Sequence, residues 1–253
     1  MAQPADSAQI AVHYKFSHVR DTTHPDKPQT ENMVLLVGKK SGVYKTNEAP
    51  MKQQVSTNPD GTTRVNTRYF GTQDEYYQFP NEKRLIRKEV ISLNDAFIIT
   101  DALPVIDWHI LNDTATLDSL HCQKATAHFK GRDYTAWFCA DLPLHIGPWK
   151  LNGLPGIIVE AYDATNTVRF SFNGISKPDP TAILPPEEGI KTTDKEFSKL
   201  KAMSAKDPEA YSKLMAQYGS GGAGPRPMIK PGSGIKPKAG PVINNPIELP
   251  ESK

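Results

Sequence analysis

Near the start of the chain Ile10, Val12, Tyr14 and Phe16 alternate with Ala11, His13, Lys15 and Ser17. That period of two predicts a strand with one face on a core and the other toward water. Further short segments with strand character follow at 32–37, 42–45, 64–70, 75–79, 84–92, 95–100 and 105–110. They are separated by turn-forming runs such as Asn58-Pro59-Asp60-Gly61 and Asn94-Asp95. Segments at 120–129, 134–140, 156–163 and 167–173 continue the series. In the last, Val168, Phe170 and Phe172 face one way and Arg169, Ser171 and Asn173 the other, with Asp163-Ala164-Thr165-Asn166 as the turn before it. Short strands at this spacing predict a mainly β fold, an antiparallel β-sandwich or jelly-roll-like sheet pair, and argue against alternating βαβ units.

After Pro185-Pro186 the period changes. Thr193 followed by Glu196 has capping-box spacing before Phe197, Leu200 and Met203, which share a helical face. Asp207-Pro208-Glu209 opens a second helix with Tyr211, Leu214, Met215 and Tyr218 in a stripe, ended by Gly219. The expected organisation is a β domain over 1–186, a helical segment over 187–218 packed on it, and a Gly/Pro-rich extended tail over 219–253. That tail holds seven Gly and seven Pro in 35 residues, too few apolar side chains to offset its ordering entropy. Its end, Asn245-Pro246-Ile247-Glu248-Leu249, is less polar and is expected to dock as an edge strand.

At 253 residues the chain can support a core without staples. No apolar run approaches the length of a bilayer-spanning helix. The formal charge is only +2, and the tail carries the excess, with five Lys/Arg against two Asp/Glu in 219–253. A balanced body argues against a nucleic-acid partner. Met1-Ala2-Gln3 is followed by no apolar signal region, which fits either a cytosolic protein or one whose signal peptide has been removed.

Cys122 and Cys139 fall in consecutive strand segments joined by Lys130-Gly131-Arg132-Asp133. With Lys130-Gly131 as a two-residue turn, paired positions sum to 261, and the two thiols face each other. An oxidising compartment would let them bridge. With Gly131-Arg132 central, Cys122 meets Asp141 instead, and the cysteines remain buried free thiols. His121 neighbours Cys122 in sequence but points to the opposite face of a strand, so nucleophilic cysteine chemistry is not expected. The seven histidines show no metal-ligand spacing, and neither a metal nor any other cofactor is expected. Asp133, Asp141, Glu160 and Asp163 cluster in sequence, yet turn and strand-edge duties account for them more simply than a glycosidase pair.

The densest signal is the Gly/Pro/Trp-rich loop within 134–163. Pro155 presets φ for the second position of a tight turn, and Gly156 supplies the positive φ of a type II turn at 154–157. Ile157-Ile158-Val159 then opens a strand covered on both faces. Trp149 has the bulk to seal the end of a sheet core. Gly147-Pro148-Trp149 with Gly153-Leu154-Pro155-Gly156-Ile157-Ile158 resembles the signature of the GLPGLI family of exported bacterial proteins, with Ile157 where the family name has Leu. Arg132, Trp137 and Phe138 match the Gly-Arg and Ala-Trp-Phe pattern that precedes it, and the likeness is dense over 120–173.

The resemblance implies an address in the periplasm or at the inner face of the outer membrane, and an accessory role beside TonB-dependent transporters. It also implies no established catalytic activity and a remote likeness to the N-terminal β-domain of peptide N-glycosidase F proteins. A non-catalytic binding module is therefore expected. The alternatives are a glycan- or peptide-acting hydrolase and a structural protein that docks by its tail.

Overall fold

The computed structural model describes residues 6–48, 52–57, 63–68, 72–92, 95–217 and 243–251. The strands are β1 (Asp6–Ser7), β2 (Ile10–His18), β3 (Gln29–Val37), β4 (Gly42–Thr46), β5 (Lys52–Thr57), β6 (Thr63–Arg68), β7 (Glu75–Phe79) and β8 (Arg84–Ser92). They continue as β9 (Asp95–Ala102), β10 (His109–Leu117), β11 (Leu120–Phe129), β12 (Arg132–Cys139), β13 (Ile157–Asp163), β14 (Val168–Ser176), β15 (Ala182–Ile183) and β16 (Ile190–Thr192). Two helices follow, α1 (Asp194–Lys206) and α2 (Pro208–Gln217).

Twelve strands form one sheet in the order β10-β11-β12-β13-β14-β2-β3-β4-β7-β8-β9-β16, antiparallel except for the parallel pairing of β16 with β9. The sheet rolls on itself. Tyr44 on β4 and Phe170 on β14 are separated by two strands, about 14 Å in a flat sheet, yet their ring centroids lie 6.0 Å apart. The two halves thus share one core, built from Tyr14, Leu35, Tyr44, Phe138, Ile157 and Phe170 among others. This is the sandwich-like, mainly β architecture the strand pattern predicts.

Two local expectations are revised. The outward face of β2 is not left to water, because Ala11 joins Ala8, Val34, Leu36, Val43 and Ile183 in a second cluster beside the β1–β15 ribbon. The strand expected at 105–110 instead runs over His109–Leu117, while Val105 is 96% exposed. That strand is the rim of the sheet, held by pairing to β11 on one side, with a bulge between Ile110 and Thr114. Its side chains are mostly exposed, so no apolar periodicity announces it.

The helices form as their caps predict. Thr193 Oγ1 accepts from the Glu196 N–H at 3.3 Å, and Asp207 Oδ1 accepts from the Ala210 N–H at 2.9 Å. Phe197, Tyr211 and Met215 bury against Phe97 and Ile99 of β9. The Asn58–Gly61 turn, Tyr218, Gly219 and the tail up to 242 lie outside the described residues.

Candidate functional site

Lys130 and Gly131, both at positive φ (53° and 70°), form the two-residue turn between β11 and β12. The resulting register sets Cys122 opposite Cys139 and Phe129 opposite Arg132. The two cysteines are disulfide-bonded with Cα atoms 4.2 Å apart, at the end of the hairpin remote from Arg132. Trp137 is half-buried with the Lys124 ammonium 5.9 Å from its ring centroid, whereas Phe138 is fully inside.

The loop from 140 to 156 folds back into the rolled sheet. Gln78, buried on β7, donates its side-chain amide to the carbonyls of Gly147 at 2.8 Å and Trp149 at 2.9 Å. The Ile158 N–H returns to the Ile146 carbonyl at 3.0 Å, and Trp108 Nε1 donates to the Asn152 carbonyl at 2.8 Å. Leu151, Leu154, Ile157 and Ile158 are sealed in the core, and Trp149 stacks on Phe170 and meets Phe129 edge-on. Gly147 and Pro148 are buried beside them.

The turn is not type II. Positive φ falls at Gly153 (93°) and Trp149 (56°), and Gly156 has none. The Gly156 N–H instead donates to the Leu154 carbonyl at 2.8 Å, a γ-turn around Pro155. Gly156 is needed because a Cβ there would sit 2.6 Å from the Cys139 carbonyl carbon and 2.9 Å from the Ala140 nitrogen.

Arg132 anchors the main polar site, and it is only 5% exposed. One guanidinium nitrogen, Nη1, donates to Asp163 Oδ2 at 2.6 Å and Thr167 Oγ1 at 3.0 Å. The other nitrogens reach across to the C-terminal segment. Nη2 donates to Asn245 Oδ1 and the Pro246 carbonyl, both at 2.6 Å, and Nε donates to the Ile247 carbonyl at 2.9 Å. The segment docks, but through side chains and its own irregular backbone rather than as the expected edge strand; proline at 246 and 250 removes two donors a ladder would need.

The rest of the segment is gripped in the same way. Glu248 lies between Lys150 and Lys130, and its two oxygens pair with the two ammoniums. Burial alone would raise its pKa, but Lys150 and then Lys130 outweigh it and hold the carboxyl below its usual range. The Leu249 N–H donates to the Lys130 carbonyl at 3.0 Å. His128 bridges Asp133 at 2.6 Å and Glu251 at 2.9 Å. Both partners accept, so both ring nitrogens carry protons, and these bonds raise the imidazole pKa above 6.5. At the other end, His18 Nε2 donates to the Asn245 carbonyl at 2.8 Å, and Asn245 Nδ2 donates to the Val19 carbonyl at 2.7 Å. Burial pulls the His18 pKa down to about 4, so that ring is neutral.

Asp163 is held ionised despite its burial by the Val168 N–H, the Thr165 and Thr167 hydroxyls and Arg132. The other carboxylates near the loop do not converge with it. Asp133 serves His128, Asp141 pairs with His121, and Glu160 pairs with Arg169. Of the residues singled out in the sequence, Arg132 stands at the C-terminal segment, with Trp149 packed on Phe129 and Phe170 next to Lys150, while the cysteines lie at the far end of the hairpin. Lys150, Asn245, Glu248, Glu251, His18 and His128 gain their roles only from the fold. The proline-containing, less polar stretch at 245–249 was the one linear signal for them.

Two crystal forms of PNGF-II share the architecture. The form in space group C2 aligns with a TM-score of 0.56 at 9% identity, covering 78% of this chain and 33% of that one. The P21 form gives 0.54 at 8% identity, covering 78% and 34%. The chain thus spans about a third of the length of these structures, and at this identity the likeness is one of fold alone. No curated protein matches the chain. Residues 37–160 match the model of a family described as protein of unknown function (Porph_ging), so the family resemblance carried by the Gly153–Ile158 turn and its flanking strands holds over the centre of this chain.

Proposed function

We propose that this chain is a non-catalytic binding module of the bacterial envelope, working on the periplasmic side as an accessory to an outer-membrane transporter of the TonB-dependent class. The observation that carries the reading is where the buried charge is directed. Arg132 is fixed on one side by Asp163 and Thr167, and its remaining N–H groups take backbone and side-chain oxygens of an irregular stretch of polypeptide. A fork of donors aimed at peptide carbonyls is a recognition device. The Gly/Pro/Trp loop beneath it is packed as scaffold, which gives such a site the rigidity that holding a partner needs.

The periplasmic address rests on two supports. The Cys122–Cys139 disulfide suits an oxidising compartment. The GLPGLI resemblance implies export and the company of TonB-dependent transporters.

Cell fractionation followed by native detergent extraction with the full chain as bait tests both parts. The expected result is recovery from the envelope fraction, with oxidised cysteines, together with an outer-membrane transporter. Recovery in the cytosolic fraction with two free thiols, or from the envelope with no protein partner after cross-linking, would overturn the reading.

A further inference from the structure

Residues 243–251 behave in this structure as a bound peptide. Among the described residues, their hydrogen bonds to the body go to 18–22, to 128–132 and to Lys150. None of these contacts is with α2, the element that precedes the segment in the chain, and 25 residues (218–242) separate Gln217 from Ile243. Docking as described is therefore made through contacts remote in sequence.

Arg132 is also held from the body side: Nη1 donates to Asp163 and Thr167, while Nε and Nη2 are given over to the segment. With the segment in place Arg132 is only 5% exposed, so a segment that leaves must be replaced at Nε and Nη2 by water or by the oxygens of another segment.

The chemistry read by the groove is specific. Arg132 Nη2 and the Val19 carbonyl read both ends of the Asn245 amide. The carbonyls of Pro246 and Ile247 answer the rest of the guanidinium, and Ile247 packs on the core. Lys130 and Lys150 then take a carboxylate at 248, and His128 with the Gly131 N–H takes another at 251.

We infer that this groove is a peptide-binding site for an irregular, acidic, proline-containing segment of a partner protein, of the pattern Asn-Pro-aliphatic-Glu with a second acid three residues on, and that the chain's own C-terminal segment occupies it as a displaceable plug. The inference rests on the binding-module reading above and names the site and ligand class for it.

The arithmetic of a tethered competitor sets the expected effect. A plug tethered by a linker of this order has an effective concentration on the order of millimolar. An outside peptide of equal intrinsic affinity then binds the intact protein no tighter than about that concentration, because the competent, open state is rarely populated. Disabling the plug while leaving the groove intact removes this tax.

The probe is a fluorescein-labelled synthetic peptide with the sequence of 243–253, and fluorescence anisotropy is measured against the full chain. The full-length variant carrying Ile247→Ala and Glu248→Ala in its own segment is expected to bind the probe at least ten-fold more tightly than the unmodified chain. A probe with alanine at the positions of Asn245 and Glu248 is expected to lose that gain. A second arm keeps the groove's fold out of question. A protease site placed within 225–240 is cut after the unmodified chain has folded, and an excess of labelled peptide should then replace the severed segment.

Equal binding by both chains, binding indifferent to the alanine probe, or a severed segment that excess peptide does not replace would overturn the inference. The envelope extraction separates this failure from that of the broader reading. A transporter captured equally with and without excess peptide leaves the binding module standing and removes the groove as its contact.

Discussion

Replacing Gly156 by alanine, beside the same change at Gly153, tests why the glycines of the loop are there. Backbone conformation alone singles out Gly153, whose φ is 93°, while an alanine Cβ there would approach nothing nearer than Trp108 at 4.0 Å. Its cost is left-handed strain alone, about 1–2 kcal/mol. At Gly156 the added carbon sits 2.6 Å from the Cys139 carbonyl carbon, whereas such carbons ordinarily meet at about 3.5–4.0 Å. The two backbones must part by roughly 1 Å. Cys139 cannot yield freely, being paired with Ile157 and Cys122 and bonded to the latter. Overpacking of this kind costs about 1–3 kcal/mol, and weakening the Ile157 N–H bond to Leu142 and the adjoining pair adds about 1 kcal/mol for each bond lost. The expected total at Gly156 is about 3–5 kcal/mol. Urea unfolding of both variants, followed by tryptophan fluorescence, measures the difference. A Gly153→Ala variant as destabilised as Gly156→Ala, or more so, would refute the close-approach argument.

Two further outcomes follow from groups already placed. Reducing the Cys122–Cys139 bond, which spans 17 positions, should lower stability by about 3 kcal/mol from chain entropy, read as a shift in urea midpoint between oxidised and reduced protein. Two reactive thiols in unreduced, denatured protein would contradict the bond itself. His18 has its folded pKa depressed from 6.5 to about 4 by burial, so its contribution is whole above 6.5 and is lost as pH falls through that window. Between pH 7 and 4.5 this should cost about 2.5 kcal/mol, and His18→Gln should flatten the stability profile by about that amount; an unchanged profile would show that His18 titrates normally. His128 acts in the opposite sense, because its pKa is raised by Asp133 and Glu251: its grip on the segment is full below 6.5 and fades as pH rises through its higher docked value. Tail release measured against pH should lose its alkaline limb in His128→Gln.

The sequence carried the fold where burial imprints a pattern. The apolar run of β13, the half-buried alternation of β14 and the capped helices were all legible because each has a covered face. The strand His109–Leu117 was not, since its backbone pairing leaves no trace in side-chain polarity. The hairpin turn reduced to arithmetic, with paired positions summing to 261, because a two-residue turn fixes register. Gly156 misled because glycine answers two different demands, positive φ and close approach, and the linear sequence does not say which. The groove was half visible: Arg132 and the 245–249 stretch each stood out, but their meeting spans more than a hundred residues and depends on the turn at Lys130-Gly131 projecting toward the same end of the sheet as the start of the loop after His18.

The irregular rim strand β10 has a consequence for behaviour at high protein concentration. An open sheet margin offers a row of free amides and carbonyls that invites foreign strands to add on. Here the break in register between Ile110 and Thr114 interrupts that row, and Asp113, in the interruption and 56% exposed, pairs with the Lys124 ammonium at 3.6 Å and so sets a hydrated ion pair at the rim. The β10 rim thus blunts self-templated growth along its own edge.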